Sequence, residues 1–200
     1  MASSSARSRP TVVVVTGPSG AGKGTLIREL MRQLPELEAT VSATTRERRQ
    51  GEEDGREYWF LTPEEFLRRV AEGAFLEQVE YVSGHRYGTL RSELDRIRSH
   101  GHVPLLELET EGALRVKEEV PGAVTIFISA RVEELDRRLR ERATESAGEI
   151  GERLELARRQ LEQADEFDHV VENDDLERAV GELTALVRGL LVPAATMPPR

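Results

Sequence analysis

The sequence predicts an α/β fold in which a mainly parallel sheet carries helices on both faces, and three features support it. Val12 to Val15 form an unbroken β-branched run, as expected of a strand buried on both faces of a parallel sheet. Beyond Lys23 the apolar period lengthens to that of a helix, with Leu26, Leu30 and Leu34 four residues apart and Ile27 and Met31 beside them. Strand-like and helical segments then alternate along most of the chain, the pattern of strands joined by crossover helices.

Between the first strand and the first helix lies Gly17-Pro18-Ser19-Gly20-Ala21-Gly22-Lys23-Gly24-Thr25. Glycines at this spacing let backbone N–H groups turn toward one anion at a helix N-terminus, where the dipole favours negative charge. Lys23 is then placed to reach the terminal phosphates of a nucleotide, and the segment reads as a phosphate cradle. The usual pattern, G-x-x-x-x-G-K-[ST], puts a hydroxyl directly after the lysine for Mg²⁺. Here Gly24 holds that position and Thr25 follows. Lys23 and Lys117 are the only lysines among 28 basic residues, so a compact point charge has been kept at the loop in a chain that otherwise uses arginine.

A length of 200 residues, 38% hydrophobic and 32% charged, suits one globular domain with short appendages. The net charge of −9 argues against a general nucleic-acid binder and confines positive charge to local patches. With no cysteine, disulfides, thiolate catalysis and thiolate metal sites are excluded. No apolar run approaches the roughly 20 residues that span a bilayer. MASSSARSRP at the start has no apolar stretch of the secretion-signal kind, so a soluble cytoplasmic protein without membrane partner is expected. Residues 1–9 and 191–200 are expected to be disordered tails.

Pro35 ends the first helix, and Ala39 to Ser42 suggests a short strand. Thr44 to Phe60 is polar, holds two glycines and has no helical period, so it reads as loop. Thr62-Pro63-Glu64-Glu65 predicts an N-cap, a proline at the first helical position and Glu65 as reciprocal cap, with Phe66, Leu67 and Val70 facing inward as far as Gly73. Ala74 to Val82 is strand-like and Ser83 to Gly88 turn-rich. A helix over Leu90 to Ser99 precedes a strand over His102 to Glu109, with Pro104 near its start. Glu111 to Glu119 is helical, and Ala123 to Ser129 is a buried strand. Val132, Leu135 and Leu139 mark the next helix, Ala143 to Gly148 a joint, and Ile150, Leu154, Ala157 and Leu161 a long helix. Asp168 to Val171 closes the strands, and a final helix capped by Asp174 with Glu177 carries Val180, Leu183, Leu186, Val187 and Leu190. The region from 42 to 89 breaks the alternation and reads as an inserted subdomain.

Four of these segments together resemble guanylate kinase, the ATP:GMP phosphotransferase family. They are the cradle, the stretch Val41 to Glu52 continuing through Asp54-Gly55-Arg56-Glu57-Tyr58, Tyr87-Gly88-Thr89, and Arg142-Ala143-Thr144-Glu145. The resemblance runs from Arg9 to about Leu190. It implies a P-loop NTPase-type core (10–41, 90–138 and 165–190), a nucleoside-monophosphate-binding insertion (42–89) and a helical lid (139–164). It implies small-molecule substrates, ATP and GMP, with Mg²⁺ as cofactor. By resemblance ATP lies on Gly17 to Thr25, and Arg46, Arg49, Tyr58 and Tyr87 clamp the GMP phosphate, which suits the bidentate geometry of arginine. Glu77 and Glu109 fall where the family reads guanine, whose N1 and N2 donors a carboxylate accepts as a pair, and Ser42 and Thr89 supply hydroxyls to the ring. Lys23, Arg46, Arg138, Arg142 and Arg153 are the expected catalytic cations, with the lid arginines arriving on closure. Thr25, and Glu107 through water, are the candidate Mg²⁺ ligands.

Three places depart from the family pattern. Glu107-Leu108-Glu109-Thr110-Glu111-Gly112 stands where D-x-D-x-Q-G is usual, Ala143 replaces a glycine, and Gly24 resembles the adenylate kinase loop. A kinase of another nucleoside monophosphate or of a phosphorylated sugar would keep the cradle and change the base readers. A catalytically inactive phosphopeptide-binding module of the same fold would erode the cradle and keep the clamp, and here Lys23 and the lid arginines are intact.

Overall fold

The computed structural model describes residues 9–81, 83–141 and 147–192, the last stretch without side chains at 147–149. In chain order the elements are β1 (Val12–Thr16), α1 (Lys23–Gln33), β2 (Leu37–Ala39), β3 (Ala43–Thr44), β4 (Trp59–Phe60) and α2 (Pro63–Ala71). They continue with β5 (Phe75–Glu80), β6 (Arg86–Leu90), α3 (Arg91–Ser99), β7 (Val103–Glu107), α4 (Thr110–Glu119) and β8 (Ala123–Ser129). Last come α5 (Val132–Glu141), α6 (Ala147–Glu162), a 3-10 turn (Ala164–Glu166), β9 (His169–Glu172) and α7 (Leu176–Leu191). Two compact units result: one joins the chain up to Pro35 with the chain from Glu107 onward, and the other is the contiguous segment Glu36–Leu106. The contiguous unit is wider than the insertion read from the sequence, because it takes in β2, α3 and most of β7.

In the first unit β1, β8 and β9 run parallel. Val12 lies opposite Ala123 and Thr16 opposite Phe127, while Ile126 lies opposite His169. Val12 to Val15 are wholly buried, as their unbroken β-branched run requires. α1 packs on β1 and α7, and α4 packs on β1 and β8. Leu26 and Leu30 of α1 with Leu183 and Val187 of α7 fill the interior. Lys117, the second lysine, is structural: its ammonium meets Asp168 at 2.9 Å and donates to the Glu166 carbonyl at 2.7 Å. Asp168 in turn accepts from the Thr125 amide and hydroxyl.

In the second unit β2 and β7 pair in parallel, and a separate four-stranded sheet has the order β4-β3-β6-β5. Its core is Ala43, Phe66, Phe75 and Leu90, with the Phe66 and Phe75 rings stacked 4.3 Å apart. Gly88 is required by the pairing, since a Cβ there would come within 2.6 Å of the Glu77 carbonyl on the neighbouring strand.

Several expected boundaries move, each for a traceable reason. The strand expected over Ala39 to Ser42 is divided: Thr40 still donates to Leu105, but the Val41 amide is taken by the Glu93 carboxylate, and pairing resumes at Ala43. The strand expected to reach Glu109 stops at Glu107, after which Leu108 donates to Val15 and Glu109 becomes the N-cap residue of α4. Thr62 caps α2 as expected, but Glu65 turns its carboxylate to Arg68 and Arg69 instead of reciprocating. Asp175, not Asp174, caps α7, accepting from the Arg178 amide, while Asp174 pairs with the Arg178 guanidinium. α7 runs through Leu191, one residue into the expected tail, and Ala147 and Gly148 of the expected joint belong to α6. Arg142 to Glu145, the first eight residues and those from 193 lie outside the described residues.

Candidate active site

The cradle is built by the turn between β1 and α1. Gly22 is the N-cap of α1, with φ of 87° and no side chain capping the helix. The first N–H groups of a helix lack intrahelical acceptors and carry its positive dipole end, a geometry suited to an anion. Gly22 is fixed sterically as well, because a Cβ would meet Asn173 Nδ2 at 2.4 Å. Asn173 follows β9, is 2% exposed, and donates from Nδ2 to the Ala21 carbonyl at 2.7 Å and from its amide to Ser129. It thereby ties the loop to the end of the sheet.

Lys23 folds over this loop, with Nζ donating to the carbonyls of Gly17 at 2.7 Å and Pro18 at 3.2 Å. Burial depresses its pKa, while the carboxylates of Glu107 and Glu109 act in the opposite sense. Two helical arginines reach the same loop. Arg138 of α5 donates to the Gly20 carbonyl at 3.3 Å and the Asn173 carbonyl at 3.1 Å, and is oriented by Glu134. Arg153 of α6 donates to Ser19 Oγ at 2.5 Å. Thr25, in the first turn of α1, accepts from Arg28. Among the described residues no group of three His, Asp or Glu side chains could hold a metal ion.

The second unit gathers the expected acceptor residues on the β3 to β6 sheet and the turn before β4. Arg46 lies with its guanidinium 5.4 Å from the Tyr58 ring centroid and 5.7 Å from that of Phe60. It is held by both oxygens of Glu52, at 2.8 and 3.1 Å, and this carboxylate, with Tyr87 adding to it, raises its pKa. Glu52 also accepts from the Arg49 amide, so one side chain shapes the whole turn. The rings of Tyr58 and Tyr87 meet edge to face at 5.8 Å. Across β5 and β6, Glu77 lies opposite Thr89 and accepts a 2.8 Å hydrogen bond from its hydroxyl. Both are buried, and Ser42 is half-buried at the entry to β3.

Residues 8–190 match the family model described as guanylate kinase. The chain belongs to the guanylate kinase family. It is 47% identical over 180 residues to the guanylate kinase of Synechococcus sp. strain JA-3-3Ab, covering 90% of this chain and 82% of that one. It is 46% identical over 184 residues to that of Rubrobacter xylanophilus, covering 92% and 96%. Among solved structures it is similar to guanylate kinase from Anaplasma phagocytophilum, with a TM-score of 0.69, 28% identity and coverage of 94% and 89%. The parallel α/β core and the kinase character read from the sequence are those of this guanylate kinase family.

Within that family frame, the structure brings together Lys23, Arg138, Arg153, Glu107 and Glu109 around the cradle in the first unit. It brings together Arg46, Tyr58 and Tyr87, and Glu77 with Thr89, in the second. Arg49 is exposed. Arg142 lies outside the described residues. Three residues that position the others were not singled out from the sequence: Glu52 behind Arg46, Asn173 behind the cradle, and Glu93 beneath Val41 and Trp59. Only Glu52 had a local signal, as an acid six residues from the arginine that it holds.

Proposed function

We infer that the chain transfers the γ-phosphoryl group of ATP to GMP, giving ADP and GDP. The observation that carries this is the guanylate kinase family match over residues 8–190, and the intact cradle accords with it. Phosphoryl transfer needs an acceptor oxygen in line with the γ-phosphorus and cations around the charge that develops there. Gly17 to Thr25 would hold the ATP phosphates, with Lys23 exchanging a carbonyl for a phosphate oxygen and Arg138 and Arg153 adding charge from α5 and α6. Arg142 is proposed for the same role from its place in the sequence. The GMP phosphate would be held by Arg46, Arg49, Tyr58 and Tyr87. Arg46 is suited to this, because Glu52 fixes its fork and aromatic faces shield it.

Guanine would be read by Glu77, with Ser42, Thr89 and Glu109 as further candidates. The Thr89 hydroxyl spends its proton on Glu77, which orients the carboxylate and leaves the threonine oxygen as an acceptor. A buried carboxylate left unpaired by the wrong base is expensive, so discrimination of about 10⁴ is within reach. Mg²⁺ bound with ATP supplies charge neutralisation on the phosphates. The hydroxyl of Thr25 and the carboxylate of Glu107, the latter through water, are hard oxygen donors of the kind it takes, one or two beside substrate phosphates.

Purified protein supplied with ATP and Mg²⁺ is expected to phosphorylate GMP and to leave AMP, CMP and UMP largely unconverted, measured by coupled ADP release. Equal rates across the four monophosphates would overturn the base-reading assignment.

A further inference from the structure

Glu93 is an acid in the first turn of α3 that belongs neither to the cradle nor to the Arg46, Tyr58 and Tyr87 cluster. It is 2% exposed, which for a charged side chain requires partners for every lone pair in use. It has them. One oxygen accepts from the Val41 amide at 2.9 Å and from Arg96 Nη2 at 3.0 Å. The other accepts from Trp59 Nε1 at 3.1 Å and from Arg96 Nε at 3.0 Å. Arg96 is held from behind by Glu38 of β2, so the carboxylate is fixed on three sides.

The two segments it ties are those that carry the acceptor residues. Val41 immediately precedes Ser42, and Trp59 immediately follows Tyr58. The same segments are laced together once more, by the Trp59 amide donating to the Ser42 carbonyl at 2.9 Å. The indole is packed over Gly55, where a Cβ would come within 2.8 Å of it, and against the Ala43, Phe66, Phe75 and Leu90 cluster. A side chain so confined transmits its position to Tyr58 one residue away.

We propose that Glu93 is a positioning residue for acceptor binding, a buried carboxylate that sets Ser42 and Tyr58 in register by holding Val41 and Trp59 at once. The inference rests on assigning GMP to the Ser42, Arg46, Tyr58 and Tyr87 cluster. It makes Glu93 a determinant of GMP affinity without contact to GMP, through misplacement of groups by a fraction of an ångström.

The test is Glu93→Gln in the full chain, assayed with ATP and Mg²⁺. The KM for GMP is expected to rise about tenfold, with kcat and the KM for ATP changed by less than about threefold. A residue that only stabilised the fold would lower the active fraction for both substrates and leave both KM values alone. Trp59 is the sole tryptophan, so its emission reports the broken bond directly, and a spectrum shifted in the variant is expected. A folded Glu93→Gln protein with unchanged GMP KM overturns the proposal. Should that variant fail to fold, Trp59→Phe removes one donor from the same carboxylate and is expected to raise the GMP KM about threefold; no rise overturns it. Arg46→Ala is run alongside. If it raises the GMP KM and Glu93→Gln does not, the positioning role alone fails, whereas no effect from either overturns the acceptor assignment together with this inference.

Discussion

Lys23 shows how much one side chain can be asked to do. Its ammonium is partly stripped of water, and burial lowers its pKa against the pull of Glu107 and Glu109. The charge is therefore lost at a pH below the ordinary lysine value of 10.5. We expect kcat/KM for ATP, which reports the free enzyme, to fall on the alkaline side before that value, and Lys23→Arg to remove this limb from the accessible range. Lys23→Ala is expected to lower kcat by about 10² or more with the GMP KM mostly kept, as for other donors aimed at developing charge; turnover at the native rate would refute the cradle. The lysine itself was legible from the glycines around it. Its carbonyl partners were not, and neither was the Glu52 fork behind Arg46, because a motif records which groups meet a ligand and not which neighbours hold them still. The grouping of Arg46, Tyr58 and Tyr87 was expected only through the family resemblance, and Thr89 donates to Glu77, a pairing set by the β5 to β6 register that no local pattern encodes.

At the level of the element, periodicity located every α-helix and most strands, but β4 and β6 lie in stretches that read as loop and turn, and hydrogen-bond competition decided where many elements ended. α7 illustrates both. Its apolar face was readable from Leu183 and Val187, while the two adjacent acids divide between Arg178's backbone amide, which Asp175 caps, and its guanidinium, which Asp174 pairs. The helix also carries Gly181 on its exposed side, with nothing within 4 Å of where a Cβ would be. Glycine in a helix interior costs roughly 0.5–1 kcal/mol relative to alanine. Gly181→Ala is thus expected to raise Tm by about 1–4 °C for a chain of this size, as followed by calorimetry. A lower Tm would mean that this turn of α7 is not an unstrained helix.

Across the whole molecule, the ion pairs make stability depend on acidity in a definable window. Burial alone would push the Glu38 carboxyl up, but hydrogen bonds from His102, Arg96 and His100 outweigh it and bring the pKa from 4.5 to about 2. Glu134, bonded by Arg137 and then Arg138, is likewise lowered to about 2. A depressed folded-state pKa contributes stability that is complete above the unfolded value and lost as pH falls through the folded one. Urea midpoints are therefore expected to decline from about pH 4.5 down to about pH 2, and Glu38→Gln to start lower at neutral pH and decline less steeply; parallel acid limbs would count against Glu38. The α/β class and the order of the elements outside residues 42–89 could be read from the alternation of periods. The extent of the second unit could not, since α3 and β7 look like further core elements until Glu38, Glu93 and Arg96 are seen to join them to β2 and β4.

The first unit is assembled from chain ends that are far apart, whereas Glu36–Leu106 is continuous. During synthesis a ribosome that has released Leu106 has already supplied every hydrogen-bonding partner inside the continuous segment. Val12 has to wait for Ala123, and Ala21 for Asn173, so the loop from Gly17 to Thr25 is made before the continuous unit and finished after it.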